Sequence, residues 1–64
     1  MVKVNGEAKD IAGKSIAEYL ATTSYDMRRI ATELNGEIVP KAVYADTVLA
    51  DGDSMEIVSF VGGG

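Results

Sequence analysis

Val2 and Val4 flank Lys3, the alternation of a short strand with one buried face. Asn5-Gly6 follows, a hairpin signal, because both residues tolerate positive φ. Glu7 through Ile11 then reads as the returning strand, with Ala8 and Ile11 as its apolar members. Ala12-Gly13-Lys14 is a connector. Ser15 and Glu18 form the S-x-x-E capping box, in which each side chain satisfies a free N–H at a helix start. Ile16, Ala17, Leu20 and Ala21 supply a helical apolar stripe with Tyr19 beside it, and Thr22-Thr23-Ser24 stop the helix after about two turns. A helix this short depends on packing against a sheet.

Tyr25 to Arg29 reads as a loop. Ile30, Thr32 and Leu34 alternate with Ala31 and Glu33 as a third strand, Asn35-Gly36 repeats the hairpin signal, and Glu37-Ile38-Val39 returns until Pro40 ends it. The recurrence of Val4-Asn5-Gly6-Glu7 as Leu34-Asn35-Gly36-Glu37 reads as shared turn chemistry, not duplication. Lys41 to Ala50 predicts an irregular or 3₁₀ turn crossing an open sheet edge. Asp51-Gly52-Asp53 is a turn, and Ser54 to Val61 is the most strand-like run. Met55, Ile57, Ser59 and Val61 line one face of that run and Glu56, Val58 and Phe60 the other, the pattern of a central strand. The order ββ-α-ββ-β, with the first and last strands adjacent at the centre, predicts an α+β fold. The expected architecture is a ubiquitin-like β-grasp: a mixed sheet of four to five strands with one helix packed on one face. Residues 1–60 form the domain and residues 61–64 a flexible Gly-rich C-terminal tail.

Composition narrows the chemistry. Sixty-four residues allow one small domain, and the chain has no Cys, His or Trp. That removes disulfides, thiolate metal sites, cysteine nucleophiles and every His-dependent triad. No apolar run approaches the ~20 residues that span a bilayer. The first ten residues lack the apolar stretch of an export signal, so the cytoplasm is the expected compartment. The net charge of -4 and a single adjacent basic pair, Arg28-Arg29, speak against a nucleic-acid partner. That pair reads either as solvated loop residues or as a contact for phosphate or an acidic partner.

Residues 1–36 are neutral overall, with Lys3, Lys9, Lys14, Arg28 and Arg29 balancing Glu7, Asp10, Glu18, Asp26 and Glu33. Residues 37–64 set Lys41 against Glu37, Asp46, Asp51, Asp53 and Glu56, so they carry the whole excess. A solvated acidic surface is one reading, and steering of the C-terminal end toward a basic partner is the sharper one. Asp51 and Asp53 have the spacing of two cation ligands, but no further oxygen ligands follow at Ca²⁺-loop positions, and a turn explains them.

The glycine triplet at residues 62–64 stands out. At ~7% usage, three in a row at a chosen end arise by chance roughly 3 times in 10,000. A linker remnant is one explanation. The other is physical: a side-chain-free Gly62-Gly63-Gly64 threads a narrow channel, and Phe60 to Gly64 reaches about 16–18 Å when extended. The α-carboxylate at its tip becomes reactive once ATP converts it to an acyl-adenylate. A sulfur nucleophile then leaves a thiocarboxylate, and an amine leaves an amide. No side chain here serves either step, which predicts a substrate and carrier rather than an enzyme.

Five segments together resemble the ThiS family of sulfur carriers in thiamine biosynthesis: V-N-G-E at 4–7, I-A-E-Y-L at 16–20, L-N-G-E-I-V-P-K at 34–41, T-V-L-A-D-G-D at 47–53 and M-E-I-V-S-F-V-G-G-G at 55–64. The resemblance implies that Gly64 is adenylated by an E1-like enzyme using ATP and Mg²⁺ and becomes the thiocarboxylate. It implies a cysteine desulfurase persulfide or another sulfur donor, and delivery to thiazole synthase. Gly62 and Gly63 match the tail that enters the partner, and Val61 and Phe60 match its base. The small subunit of molybdopterin synthase and ubiquitin-like modifiers share this terminal chemistry and are the alternatives. For docking, the exposed sheet near the tail is expected, with Val58 and Phe60 as candidates, although Val58 also fits a core position.

Overall fold

Val2–Val4 (β1) and Glu7–Lys9 (β2) pair antiparallel with Val2 facing Lys9 and Val4 facing Glu7. Asn5 and Gly6 join them at φ 50° and 86°, the twisted turn that the Asn-Gly pair permits. These coordinates come from a computed structural model, which describes residues 1–60. Ile30–Leu34 (β3) and Glu37–Val39 (β4) repeat the arrangement around Asn35 and Gly36, at φ 52° and 85°. Ser54–Ser59 (β5) lies between the two hairpins, parallel to β1 and antiparallel to β3. The sheet order is β2-β1-β5-β3-β4, so the last strand is central as its apolar pattern predicts.

Each Asn of the two turns also bonds the central strand. The Asn5 Oδ1 accepts from the Ile57 N–H at 2.7 Å and its Nδ2 donates to the Ile57 carbonyl at 3.3 Å. On the other side of β5, the Asn35 Oδ1 accepts from the Ser54 N–H at 2.9 Å, while the Asn35 N–H donates to the Ser54 carbonyl at 2.7 Å. In each case an amide side chain pairs with β5 just where the hairpin's backbone turns away from it.

One helix, Ile16–Leu20 (α1), covers one face. It is about one and a half turns, shorter than the two turns expected from the apolar stripe. The reason is local: the Thr22 and Thr23 hydroxyls donate to the Tyr19 and Leu20 carbonyls, both at 2.7 Å, and close the helix end. At its start the capping box forms as the sequence predicts, with the Glu18 N–H on the Ser15 Oγ and the Ser15 N–H on the Glu18 Oε1. The Ile16 and Ala17 N–H groups donate to the Thr47 and Tyr44 carbonyls. The segment 41–50, which opens with a 3₁₀ turn at Lys41–Val43, thus serves as a strap holding the helix. Isolated, five residues would not stay helical; the cap, the strap and the burial of Ile16 and Leu20 fix them.

The core consists of Val2, Val4, Ile11, Ile16, Leu20, Ile30, Tyr44, Leu49, Met55 and Ile57. At roughly 1.5–3 kcal/mol for each large side chain, this layer dominates the favourable side of folding. Three expectations need correction. The strand predicted over Glu7–Ile11 ends at Lys9, which already faces Val2, so Ile11 reaches the core from a loop and Ala8 is exposed. Ala21 is exposed just past the helix. Val58 is not in the core, because α1 and the strap cover only the face bearing Met55 and Ile57, leaving the other face of β5 open. Among the described residues, no helix is long and apolar enough to cross a membrane.

Candidate functional site

The candidate site is the end of β5, where Phe60 leads into the glycines. The expected tail residues Val61, Gly62, Gly63 and Gly64 lie outside the described residues; Phe60 lies within them. The Phe60 N–H donates to the Arg29 carbonyl at 2.6 Å, extending the β3–β5 ladder one step past Ile30 and Ser59. This bond fixes where the tail leaves the domain. The Phe60 and Val58 side chains are 51% and 48% exposed. By the alternation of β5 they share the open face.

That face is built by register. Ala31 lies opposite Val58, Glu33 opposite Glu56, and Ile38 opposite Glu33 on the next strand. Ile38 is 74% exposed, the most exposed large apolar side chain among the described residues. The residues predicted for docking, Val58 and Phe60, therefore lie together on the open face beside Ala31, and the directly opposed carboxylates Glu33 and Glu56 separate them from Ile38. Like charges facing each other on neighbouring strands oppose folding. Nothing in the three-residue run Glu37-Ile38-Val39 marks Ile38 as outward-facing; only the register does.

Beside the tail root, Met27–Arg29 forms a 3₁₀ turn where the sequence reads as a loop. Asp26 caps it: its Oδ1 accepts from the Arg28 N–H at 3.0 Å and from the Arg28 Nε at 3.3 Å, and its Oδ2 faces the Arg29 Nε at 3.6 Å. The hydrogen bonds from the Arg28 backbone and side chain, aided by both positive charges, hold the Asp26 carboxyl below its ordinary pKa. Arg29 thus touches the tail root through its carbonyl and Asp26 through its guanidinium.

The acidic residues are placed differently. Asp53 immediately precedes β5, and Asp51 meets the N-terminal amine of Met1. Both lie at the end of β5 away from Phe60, about 20 Å along a six-residue strand. Asp53 accepts from the Asn35 Nδ2 at 3.0 Å and the Ala50 N–H at 2.8 Å, and these bonds lower its pKa, the Asn35 bond most. These contacts make Asp51-Gly52-Asp53 the turn that the sequence predicts, with Gly52 at φ 92°. Asp51 and Asp53, two of the five acidic residues of the second half of the chain, are therefore not gathered at the tail root. Beside the root stand the guanidiniums of Arg28 and Arg29 with the Asp26 carboxylate between them.

Comparison with known proteins gives concordant results. The ThiS family model matches residues 2–64. A sulfur carrier protein ThiS from Bacillus subtilis is 38% identical over 68 residues, covering 100% of this chain and 100% of that protein. A thiazole synthase from Paramagnetospirillum magneticum is 44% identical over 62 residues, covering 95% of this chain but 19% of that protein, so the chain spans about a fifth of that relative. Among solved structures, a thiamine biosynthesis protein (ThiS) from Geobacter metallireducens superposes with a TM-score of 0.78 at 33% identity, covering 98% of this chain and 97% of the other.

Proposed function

The chain belongs to the ThiS family, the sulfur carrier proteins of thiamine biosynthesis, and from that premise we propose that Gly64 carries the sulfur as a thiocarboxylate. The observation that carries this reading is that the family match runs through the glycine triplet to residue 64. An E1-like enzyme with ATP and Mg²⁺ adenylates the Gly64 carboxylate and releases pyrophosphate. The outer sulfur of a cysteine desulfurase persulfide, or of another donor, then displaces AMP from the acyl carbon to give an acyl disulfide. Attack of a thiol on the donor's sulfur breaks the S–S bond, releasing the thiocarboxylate and leaving the donor and the thiol joined as a disulfide. The thiocarboxylate passes to thiazole synthase. Support for that acceptor is the segment resembling this chain inside two longer proteins named thiazole synthase, 44% and 31% identical.

In this reading the chain is substrate and carrier, and its partners do the chemistry. Its own contribution is presentation. β5 is anchored on both sides, by β1 and Asn5 and by β3, so Phe60 is held at a fixed point of the domain. Val61, Gly62 and Gly63 then lead Gly64 into the partner's site. Glycines suit that task because a narrow channel admits backbone but no side chain. The absence of cysteine means that no thiol of the carrier competes for the sulfur it transports.

Intact-mass spectrometry after incubation with the adenylating enzyme, ATP, Mg²⁺, a persulfide donor and a thiol reductant tests the proposal. The expected result is a gain equal to exchanging one oxygen for sulfur, localised to Gly64 by fragmentation. An unchanged mass with a partner shown to adenylate its own carrier overturns it. Conjugates joined through Gly64 to lysines would instead assign the chain to the modifiers.

A further inference from the structure

We propose that Arg28 and Arg29 form a basic docking point, placed at the root of the tail, for a carboxylate-bearing surface on the protein that receives the tail. The inference rests on the reading that the glycines enter a partner, and it adds what chemistry that partner presents around its entrance.

The arrangement is specific to the fold. Arg29 offers its carbonyl to the Phe60 N–H at 2.6 Å, which ties the arginine pair to the point where the tail begins. Asp26 engages the Arg28 guanidinium through Nε and one terminal nitrogen, and faces the Arg29 guanidinium through Nε alone. The remaining edge of Arg29 is a fork of the geometry that binds carboxylate in two parallel hydrogen bonds. The side chains are 87% and 52% exposed. Exposed ion pairs of this kind add little to stability, so the effect of Asp26 is to orient the two guanidiniums.

Charge and composition then select the partner. The chain carries -4 overall, yet two arginines and one aspartate make the tail root locally positive. Asp51 and Asp53 are at the far end of β5, and Glu33 and Glu56 stand four residues back from the root, about 13 Å along the strands, beyond the roughly 8–10 Å over which exposed charges act at ordinary salt. Phe60 and Val58 supply exposed apolar surface alongside, and aromatic side chains with arginine are enriched where protein interfaces are tightest. A nucleotide is the wrong ligand. An extended Phe60–Gly64 stretch reaches about 16–18 Å, so phosphates at the acyl group lie beyond the arginines. A protein surface with carboxylates beside an apolar pocket fits both features.

The test measures binding of the full chain to the E1-like adenylating enzyme at about 50 and about 300 mM salt, together with the mass gain at saturating carrier. The variants are Arg28→Glu/Arg29→Glu, Arg28→Gln/Arg29→Gln, and Lys9→Glu/Lys14→Glu. The last changes net charge as much as the first but lies away from the tail. Charge reversal at the arginines should raise Kd at least about tenfold. The Gln pair should fall between, and binding should weaken strongly with salt only where both arginines are present. The thiocarboxylation rate at saturation should be unchanged. If the Glu pair fails to fold by circular dichroism, the Gln pair decides. Unchanged Kd in the arginine variants, or an equal loss in Lys9→Glu/Lys14→Glu, overturns the proposal. Arginine-specific loss of binding without any wild-type mass gain upholds the docking point and overturns the thiocarboxylate reading. A normal mass gain with arginine-independent binding does the reverse.

Discussion

Replacing Asn5 by Gly removes an amide side chain and keeps the left-handed backbone. Asn5 sits at φ 50°, where Gly is at ease, so the change leaves the turn intact and isolates the bonds to β5. Those bonds are the Ile57 N–H to Oδ1 at 2.7 Å and Nδ2 to the Ile57 carbonyl at 3.3 Å, both part-buried. An amide left without its acceptor costs about 1–3 kcal/mol. A domain of this size has roughly 3–10 kcal/mol in total, so the loss is a large fraction of its stability. The thermal midpoint should fall by about 4–8 °C for each kcal/mol. Asn5→Ala should be worse by about 1–2 kcal/mol, because a Cβ in the left-handed region adds steric cost. Asn5→Asp keeps the acceptor for the Ile57 N–H and should fall between wild type and Gly.

The assay is urea and thermal unfolding followed by circular dichroism, with hydrogen exchange read at the Ile57 amide. Equal stability of Asn5→Gly and wild type, with undiminished protection of that amide, would refute the reasoning. The two Asn-Gly pairs would then be turn formers only, and the central strand would be held by its ladders alone.

Thr32 is fully buried on the inner face of β3, and its Oγ1 has no hydrogen-bond partner among the described residues. Thr32→Val should therefore stabilise the fold by about 1–2 kcal/mol, whereas Thr32→Ser, which keeps the hydroxyl and loses the methyl, should destabilise it; chemical denaturation midpoints check both. Asp53 titrates at a lower pH folded than unfolded because of its bonds from Asn35 and Ala50. Its contribution is thus present above the unfolded value, 3.8, and is lost as pH falls through the folded one; Asp53→Asn should flatten that acid limb in pH-dependent melting curves. Deleting Gly64 should abolish the sulfur mass gain and leave the thermal midpoint unchanged, and a lowered midpoint would assign the residue a structural role.

Much of the fold was legible because its signals are local. Asn-Gly dictates a tight turn, S-x-x-E dictates a helix start, and alternation dictates strand faces; each needs only a few neighbouring residues. What escaped was set by partners distant in sequence. Ile11 looked like a strand residue, and only the register of β2 against β1 shows that the strand has ended before it. The Asn side chains read as turn chemistry, yet each also bonds a strand 19 or 52 residues away. Arg29 and Phe60 are 31 residues apart, and no pattern in the chain joins them.

Charge shows the same division most sharply. Along the chain, the acidic excess accompanies the glycines, and the inference from proximity in sequence is an acidic working end. In space, β5 carries the chain away from Asp51 and Asp53 before the glycines begin, and β3 brings Arg29 to meet it. A central strand flanked on both sides thus exchanges the neighbours of its own segment for those of others. The double-faced apolar pattern of β5 is read correctly as central, and the alternative core position of Val58 fails for a related reason. One helix and its strap can cover only one face of five strands, so apolar residues on the second face stay exposed. Val58, Phe60 and Ile38 add nothing to the core that solvent does not partly share. Val58 and Phe60, on that open face at the point from which the tail departs, are intelligible as surface for a partner.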